Sequence, residues 1–176
     1  MKKIYISITL SILSVFLLQS LAFSESATLI DKKNGYSLRY PASWSAKTYP
    51  NSKDLVKGDI SKGNEAGINI RINPIHQDSF AGFIKWFVDD FKNQMQGHWK
   101  GKMTTMSRGY FTIAGRKSFI ITFDFKKDNG QRWIFKDYLV PKNKNEIFVF
   151  QGGVEYNKKD DYLPTLDKII ESLKIK

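Results

Sequence analysis

Alternation of apolar and polar residues predicts β-strands in several parts of the chain. In residues 36–40 and 68–72 every second side chain is apolar, with Ser, Arg or Asn between them. Residues 119–126 follow the same period with four apolar side chains, three of them Phe. Because successive side chains of a strand point to opposite faces, each segment should have one buried and one polar face. Pro41 and Pro74 would end the first two strands, since proline has no N–H for the ladder.

Turn residues after residues 119–126 predict a β-meander. Asp-Asn-Gly at 128–130 favours a hairpin turn, because Asn and Gly tolerate the positive φ that such turns require. Residues 133–140 would form the return strand, and Lys-Asn-Lys-Asn at 142–145 turns the chain again. Residues 147–150 are apolar without interruption. Such a strand is covered on both faces, so we expect it at the centre of the sheet.

A helix is predicted between the early and late strands. It carries an apolar stripe at helical spacing, begins after Asp78 or Ser79 as N-cap, and ends at Gly97. The stripe consists of Phe80, Phe83, Ile84, Phe87, Val88, Phe91 and Met95.

A second helix is predicted to begin near Asp160 and Asp161, which stand where an N-cap belongs. Pro164 is tolerated in a helix only within the first turn, so we expect it there. The apolar positions of this helix are Tyr162, Leu163, Leu166, Ile169, Ile170 and Leu173.

These elements predict an α+β fold, an antiparallel β-sheet flanked by helices. Trp44, just beyond the first strand, is expected to be a large core anchor. Residues 50–67 hold several Gly, Asn and Ser residues and are expected to form the most irregular segment.

The first residues predict export. Lys2 and Lys3 precede an almost wholly apolar run over residues 4–18, and small residues follow around Ala22 and Ser24. This order is typical of a secretory signal peptide, and the run is short for a bilayer span. We therefore expect a signal peptide at residues 1–24 and one domain at 25–176, in the periplasm or outside the cell; a retained N-terminal anchor is the alternative. The chain has no cysteine, which excludes disulfides, thiolate metal sites and a lipid-modified N-terminal cysteine.

The chain is strongly basic, with a formal net charge of +11. Without Lys2 and Lys3 it keeps 26 basic against 17 acidic residues, a net of +9. Such a balance favours an acidic protein patch, an anionic lipid surface or a cell-envelope polymer as partner. Nucleic acid is not expected, since an exported protein rarely meets it. The alternative is that the surface is basic for solubility alone.

Catalytic and metal chemistry find little support in the sequence. There is no Gly-x-Ser-x-Gly motif and no phosphate-binding Gly-rich loop. Asp89 and Asp90 are adjacent on a predicted helix, so their side chains diverge. His76 and His98 are weak candidates for a zinc pair if Asp78 converged with them. We therefore expect no enzyme, no catalytic residues and no cofactor.

The charge distribution indicates one candidate surface. No acidic residue lies between Asp90 and Asp124, and the motif "GHWKGK" at 97–102 places a tryptophan among lysines in a predicted loop. An exposed Trp99 beside cations would suit a protein hot spot or an anionic headgroup. The interpretation that we prefer is that Trp99 tucks back under the helix. Trp86, off the apolar stripe, raises the same question. The predicted partner-binding residues are His98, Trp99, Lys100, Lys102, Arg108, Arg116 and Lys117.

Four motifs follow one another along the chain: "GYSLRYPASW", "INIRINP", "TIAGRKSFIITFDF" and "IESLKI". This ordered set resembles the PsbP-like domains, a group that shares its fold with DcrB lipoproteins and Ran-binding Mog-type proteins. "GYSLRYPASW" resembles the family's strand–Pro–x–x–Trp opening, and "INIRINP" the strand ahead of its first helix. "TIAGRKSFIITFDF" resembles the turn between its paired strands, and "IESLKI" its closing helix. The resemblance covers residues 34–175. It implies an α-β-α sandwich and a small, exported, non-enzymatic subunit or assembly factor.

In photosynthetic members the resemblance implies docking onto photosystem II and retention of calcium and chloride, but no residue of this chain matches such a site by motif. We expect an exported binding module that contacts an acidic protein or anionic membrane surface through a basic, Trp-containing patch. The alternatives are a metal- or small-ligand-binding periplasmic protein that uses His76 or His98, and a photosystem II extrinsic-subunit-like protein of the thylakoid lumen if the host is an oxygenic phototroph.

Overall fold

Ten strands and two helices make up the computed structural model, which describes residues 25–52 and 56–176. The predicted signal peptide at 1–24 lies outside the described residues. The strands are β1 (Ser26–Asp31), β2 (Tyr36–Pro41), β3 (Ser45–Thr48), β4 (Val56–Lys62), β5 (Ala66–Pro74), β6 (Gly101–Ile113), β7 (Arg116–Lys127), β8 (Arg132–Pro141), β9 (Glu146–Glu155) and β10 (Lys174–Ile175). The helices are α1 (Phe80–Gly97) and α2 (Lys159–Glu171), the latter preceded by a 3-10 turn at Tyr156–Lys158.

Seven strands form one antiparallel sheet in the order β3-β4-β5-β9-β8-β7-β6. Strand β9 is its middle strand, and residues 147–150 are fully buried, which confirms the central position predicted from their apolar run. Strands β1, β2 and β10 form a second, three-stranded antiparallel sheet that was not predicted.

Helix α1 covers one face of the large sheet. Ser79 is its N-cap and its Oγ accepts a hydrogen bond from the Gly82 N–H at 3.1 Å, as predicted. The apolar stripe packs on the side chains of β7 that point to the same face, including Phe123, which lies 5.5 Å from Phe91 between ring centroids. The 3.6-residue period of the stripe and the two-residue period of β7 therefore produce one core between them.

Helix α2 and the three-stranded sheet cover the opposite face. Leu166 and Ile169 of α2 are fully buried there, together with Leu38 of β2. Trp44 is buried in the same core and lies edge-on to Tyr162 at 5.7 Å, so its prediction as a core anchor is confirmed. The predicted α+β fold, an α-β-α sandwich, is confirmed with the small sheet as an added part of one outer layer.

The start of α2 differs from its prediction. Its N-cap is Lys158, which makes no side-chain capping bond, and Asp160 and Asp161 lie inside the first turn. They face the positive end of the helix dipole there instead of capping it. Pro164 is the sixth helical residue and lies in the second turn. Because proline has no N–H, the Asp160 carbonyl receives no helical hydrogen bond from position 164.

Half of the segment predicted as irregular is strand. Residues 50–67 contain all of β4 and the first residues of β5. Gly58 interrupts the apolar pattern of β4 because the strand passes close to a neighbour: a Cβ at this position would lie 2.8 Å from the Tyr36 hydroxyl.

No helix within the described ranges has the length and apolar content needed to cross a membrane.

Candidate functional site along the edge strand

Strand β6 is the last strand of the large sheet and pairs with β7 alone. Its 13 residues contrast with the 4 residues of β3, the strand at the opposite edge. No strand of the described chain pairs with its outer side. An unpaired strand of this kind presents a row of N–H and C=O groups that another chain can bind.

Three cations stand side by side across the end of the sheet where β6 begins. Lys102 lies directly opposite Lys126 on β7, and Lys126 lies directly opposite Arg132 on β8. Directly opposed residues share a face, and all three are exposed. Like charges at such positions repel each other. We refer to these three residues as the basic row.

Within the described residues, only Arg132 of the basic row forms an ion pair. Its Nε donates to Asp124 Oδ1 at 2.8 Å, and its guanidinium carbon lies 3.5 Å from the ring centroid of Tyr156. The hydrogen bonds from Arg132 hold the pKa of the Asp124 carboxyl below its usual range. The charge of Lys126 also contributes to lowering the pKa of Asp124. Neither Lys102 nor Lys126 has a carboxylate within ion-pair distance among the described residues.

Trp99 lies outside the core, which corrects the interpretation that it tucks back under α1. Its side chain is 52% exposed, and its ring centroid lies 4.8 Å from Lys127 Nζ. Lys100 takes a positive φ of 47°, and its carbonyl accepts a hydrogen bond from the Asp128 N–H at 3.0 Å. This bond ties the turn after α1 to the β7–β8 hairpin, which supplies the cation over the Trp99 ring. His98, exposed at the C-cap of α1, is the neighbour of Trp99 in the same turn.

A β-bulge divides β6 near its middle. The register with β7 shifts between Thr105 and Ser107, and Met106 is left half-exposed at the shift. Because an extra residue reverses the alternation beyond it, Lys102 and Arg108 point to opposite faces although they are six residues apart.

The far half of β6 exposes two aromatic side chains on opposite faces. Tyr110 packs edge-on against Phe119 at 5.2 Å and lies beneath Lys117, whose Nζ is 4.7 Å from the ring centroid. Phe111 points to the other face. About half of each ring is exposed, so this end of the edge combines apolar and cationic surface.

Arg116 differs from the other predicted partner-binding residues because its side chain is already engaged. Its Nη1 donates to the carbonyl oxygens of Pro141 at 3.0 Å and Lys142 at 2.6 Å. These bonds tie the β6–β7 turn to the β8–β9 turn. Arg116 therefore stabilises the sheet's end in this structure.

The predicted residues thus form a line rather than a compact patch. His98, Trp99, Lys100 and Lys102 lie at one end of β6, and Arg116 and Lys117 follow its other end. A strand of this length spans about 40 Å at 3.3 Å per residue. Sequence reasoning did not include Lys126, Arg132, Met106, Tyr110 or Phe111. The hairpin predicted at 128–130 could have placed Lys126 near Arg132, but Lys102 joins them only through the pairing of β6 with β7.

The two histidines cannot share a metal ion. His76 precedes α1 and His98 follows it, and the 18-residue helix between them is about 27 Å long at 1.5 Å per residue. Across the described residues, no three His, Asp or Glu side chains come together in a group that could hold a metal ion.

A cleft of about 220 Å³ opens beside Phe111, between β6–β8 and the end of α2. Its main polar group is Asp167, which accepts a hydrogen bond from the Tyr138 hydroxyl at 2.7 Å and pairs with Lys136 Nζ at 2.6 Å. Burial, and then the charge of Asp167, raises the pKa of Tyr138, so this phenol stays protonated. Asp167, Tyr138 and Lys136 thus bind one another. The rest of the wall is formed by Glu171, Thr112, Ala114 and the apolar side chains of Phe111, Ile113, Ile120 and Ile170.

No family model matches the chain. The curated relative Jacalin-related lectin 12 of Arabidopsis thaliana is 29% identical over 113 residues, a match that covers 61% of this chain and 22% of the lectin. The chain therefore spans about a fifth of the length of the curated relative that it matches.

Several solved structures share the fold. Cyanobacterial PsbP (CyanoP) from Synechocystis sp. PCC 6803 superposes with a TM-score of 0.69 at 11% identity, over 89% of this chain and 95% of that one. The Ran-binding protein Mog1p of Saccharomyces cerevisiae gives 0.56 at 7% identity, over 86% and 95%. LpqN of Mycobacterium tuberculosis, involved in cell envelope biogenesis, gives 0.54 at 13% identity, over 86% and 90%.

Identities this low show a common architecture and nothing finer. They agree with the order of elements described above, in which the motifs at residues 35–44, 68–74, 112–125 and 170–175 lie. The chain has the PsbP-like fold.

Proposed function

We propose that this protein is an exported, non-catalytic binding module that contacts an acidic protein or an anionic membrane surface through the basic row and Trp99. The observation that carries the proposal is the basic row itself. Lys102 and Lys126 stand directly opposite each other, and within the described chain neither has a carboxylate in ion-pair contact. Their repulsion costs free energy that a bound anion would recover.

Trp99 supports the same surface. A half-exposed indole next to cations can bury apolar area while the cations meet anionic groups. Lys127 is already placed over its ring, and Lys100 follows it in the chain. The combination suits a partner that offers negative charge next to apolar surface.

The non-catalytic part of the proposal is supported by the cleft beside Phe111, where three polar side chains are engaged with one another. Asp167, Tyr138 and Lys136 bind one another there. The names of two fold neighbours also fit a module that acts by contact, since Mog1p is named as Ran-binding and LpqN as involved in cell envelope biogenesis.

Export is supported by the residue pattern of positions 1–24. If the host is an oxygenic phototroph, the fold shared with CyanoP directs the same proposal to the thylakoid lumen and a photosystem II extrinsic-subunit-like role. Mass spectrometry of protein recovered from the periplasm or medium checks the export part, with an N-terminus at Glu25 as the expected result.

The binding part is tested by measuring association with polyglutamate and with vesicles that contain or lack an anionic lipid, over a range of NaCl concentrations. Binding should weaken as salt rises, because the screening length falls to about 8 Å at 0.15 M. The double variant Lys102→Gln, Lys126→Gln should bind less tightly, and so should Trp99→Ala with Lys100→Ala. The matched control is Lys32→Gln, an exposed cation of the β1–β2 turn on the small sheet.

Two results in these assays would contradict the proposal even if binding is seen. One is binding that does not change with salt, and the other is equal weakening by Lys32→Gln and by the basic-row variant. The proposal would also be contradicted if the protein bound neither polyglutamate nor anionic vesicles at low salt.

A further inference from the structure

We propose that the outer side of β6 docks an acidic, extended segment of a partner protein, which joins the large sheet as an eighth strand. This inference rests on the proposed function and specifies its partner. It replaces the alternatives of a membrane surface or a folded acidic patch with a peptide segment bound through its backbone.

The first argument is that β6 is long and its outer side is open to pairing. Proteins shield sheet edges by keeping them short or with proline, lysine or β-bulges. Of these devices β6 has the bulge and the cations Lys102 and Arg108, which oppose a basic partner but not an acidic one. The opposite edge, β3, has only 4 residues. By contrast, β6 has 13 residues without proline, and its exposed side chains include Met106, Tyr110 and Phe111. Unpaired backbone next to apolar side chains is the combination that strand addition uses.

The second argument is charge. Strand β6 carries Lys102 and Arg108 and no carboxylate. A strand added to its outer side would place one residue directly opposite Lys102, in line with Lys126 and Arg132 behind it. A carboxylate at that position would extend the basic row by one strand and would lie next to Lys102, the nearest of its three cations. The occupant is therefore acidic.

The same charges disfavour a second copy of this chain. Two β6 strands side by side would bring together four cations from the strands themselves and no carboxylate from either. The formal net charge of each copy, +9 without Lys2 and Lys3, adds repulsion at longer range.

The third argument is geometric and separates a peptide from a membrane. The exposed groups of β6 lie on both faces of the sheet: Lys102 and Phe111 on the α2 side, Arg108 and Tyr110 on the α1 side. A planar surface can contact only one of these faces at a time. An extended chain alongside β6 directs alternate side chains to both faces and can meet all four residues.

The cleft beside Phe111 defines the apolar end of the occupant. It lies on the same face as Lys102, and its wall includes Ile113 and Ile170. On β7 the residues opposite Lys102 and Phe111 are Lys126 and Ser118, eight positions apart. A regular partner strand would therefore carry an acidic residue opposite Lys102 and an apolar residue about eight positions away.

The test compares two synthetic peptides that have the same length as β6 and the same amino-acid sequence. The sequence carries Glu and an apolar residue eight positions apart, with Val and Thr at the other positions. In one peptide, alternate backbone nitrogens are methylated, so its charge and side chains are unchanged but it cannot complete a ladder. We expect the unmethylated peptide to bind at least about tenfold more tightly, since several backbone hydrogen bonds are lost on methylation. Amide hydrogen exchange along β6 should slow in its complex and not in the presence of the methylated peptide.

The protein variants give a second readout. Changing Lys102 and Lys126 to Gln should weaken binding of the unmethylated peptide about three- to tenfold, because the carboxylate loses its ion pair with Lys102 and the attraction of Lys126 behind it, while Lys32→Gln leaves it unchanged. Equal affinity for the two peptides, with salt sensitivity retained, would overturn strand addition and leave the proposed function standing. Failure of both peptides, of polyglutamate and of anionic vesicles would overturn both. A third outcome is that the β6 amides are already protected from hydrogen exchange without peptide and that sedimentation velocity shows a dimer. This would identify a second copy of the chain as the occupant and overturn the proposal of an acidic partner.

Discussion

Asp137 on β8 is buried in an unusual way for a carboxyl group. It has no exposed surface, and neither of its oxygens has a hydrogen-bond partner within the described chain; the nearby Arg71 Nε is also without one. Burial raises the pKa of Asp137 well above its ordinary value of 3.8, although the positive charge of Arg71 acts in the opposite direction. The folded protein therefore holds a proton here that the unfolded chain releases at lower pH.

The sign of the resulting pH dependence follows from that direction. Because the folded-state pKa is higher than the unfolded one, the stabilisation by the protonated form is complete below the ordinary pKa and is lost as pH rises toward the folded value. We expect Asp137→Asn to remove this loss, so that the variant gains stability over the wild type as pH is raised from acid to neutral. Thermal melts of both proteins over that range measure the difference. A constant difference at every pH would contradict the assignment.

Paired carboxyls such as Asp124 and Glu146 act in the opposite direction, because Arg132 and Lys142 lower their pKa values. Their contribution is present above the ordinary pKa and is lost as pH falls. The comparison of Asp137→Asn with the wild type cancels this background, since both proteins keep these pairs.

Lys102 offers a prediction in which stability and binding change in opposite directions. Glu in its place would face Lys126 directly and replace a like-charge pair with an ion pair. Lys102→Glu should therefore raise the free energy of unfolding by about 0.2–1 kcal/mol, the usual range of a cross-strand pair, while it weakens capture of polyglutamate. Chemical denaturation and a binding assay on the same protein check the two effects. Loss of both stability and binding would show that Lys102 has a structural role instead.

At the scale of elements, regular periodicity decided what could be predicted. Helix α1 and strands β5 and β7 carry a clear period, β9 carries an uninterrupted apolar run and β8 follows a hairpin turn, and all five were predicted. Strand β6 keeps no single period, because the bulge at Met106 shifts the alternation and both faces are exposed beyond it. The exposure of Trp99 was missed for a related reason: its neighbour Lys127 belongs to another hairpin, and local sequence does not reveal that contact.

Close contact between α2 and the sheet yields a prediction for Gly152 on β9. A Cβ at this position would lie 2.7 Å from the Lys136 carbonyl oxygen and 2.9 Å from Leu166 Cδ1, so the helix or the strand would have to shift. We expect Gly152→Ala to destabilise the protein by about 1–3 kcal/mol, as overpacking of a core does. Denaturant unfolding measures the change.

Gly97, the last residue of α1, is the matched control. A Cβ there meets nothing within 4 Å, and alanine favours the helix. Gly97→Ala should be neutral or slightly stabilising. Equal losses in the two variants would mean that the cost comes from removing glycine as such and not from the approach of α2.

For the whole molecule, the fold class followed from the sequence but the arrangement of its surface did not. The elements and their apolar faces predicted an antiparallel sheet between covering layers. The order of strands depends on pairings such as Ile70 with Phe150, which are far apart in the chain. For the same reason, basic residues that were expected to form one patch, such as Lys100 and Lys117, are spread along the length of β6.

The net charge of the molecule predicts opposite responses to salt. A formal net charge of +11 repels itself in the folded state, and added salt screens this repulsion. The melting temperature should therefore rise with NaCl over the range in which binding to anionic partners falls. Thermal melts and binding measured in one salt series check this, and a melting temperature that falls together with binding would exclude self-repulsion as a significant term.

The bulge at Met106 has a consequence for any search for the partner's sequence. Without it, Lys102 and Arg108 would share a face, and matching acidic residues would be separated by an even number of positions. With it, their opposite positions on β7 are Lys126 and Ile121, five apart. A regular strand on the outer side would repeat that interval, so candidate sequences can be screened for two acidic residues at an odd spacing, Asp or Glu followed by another at the fifth position.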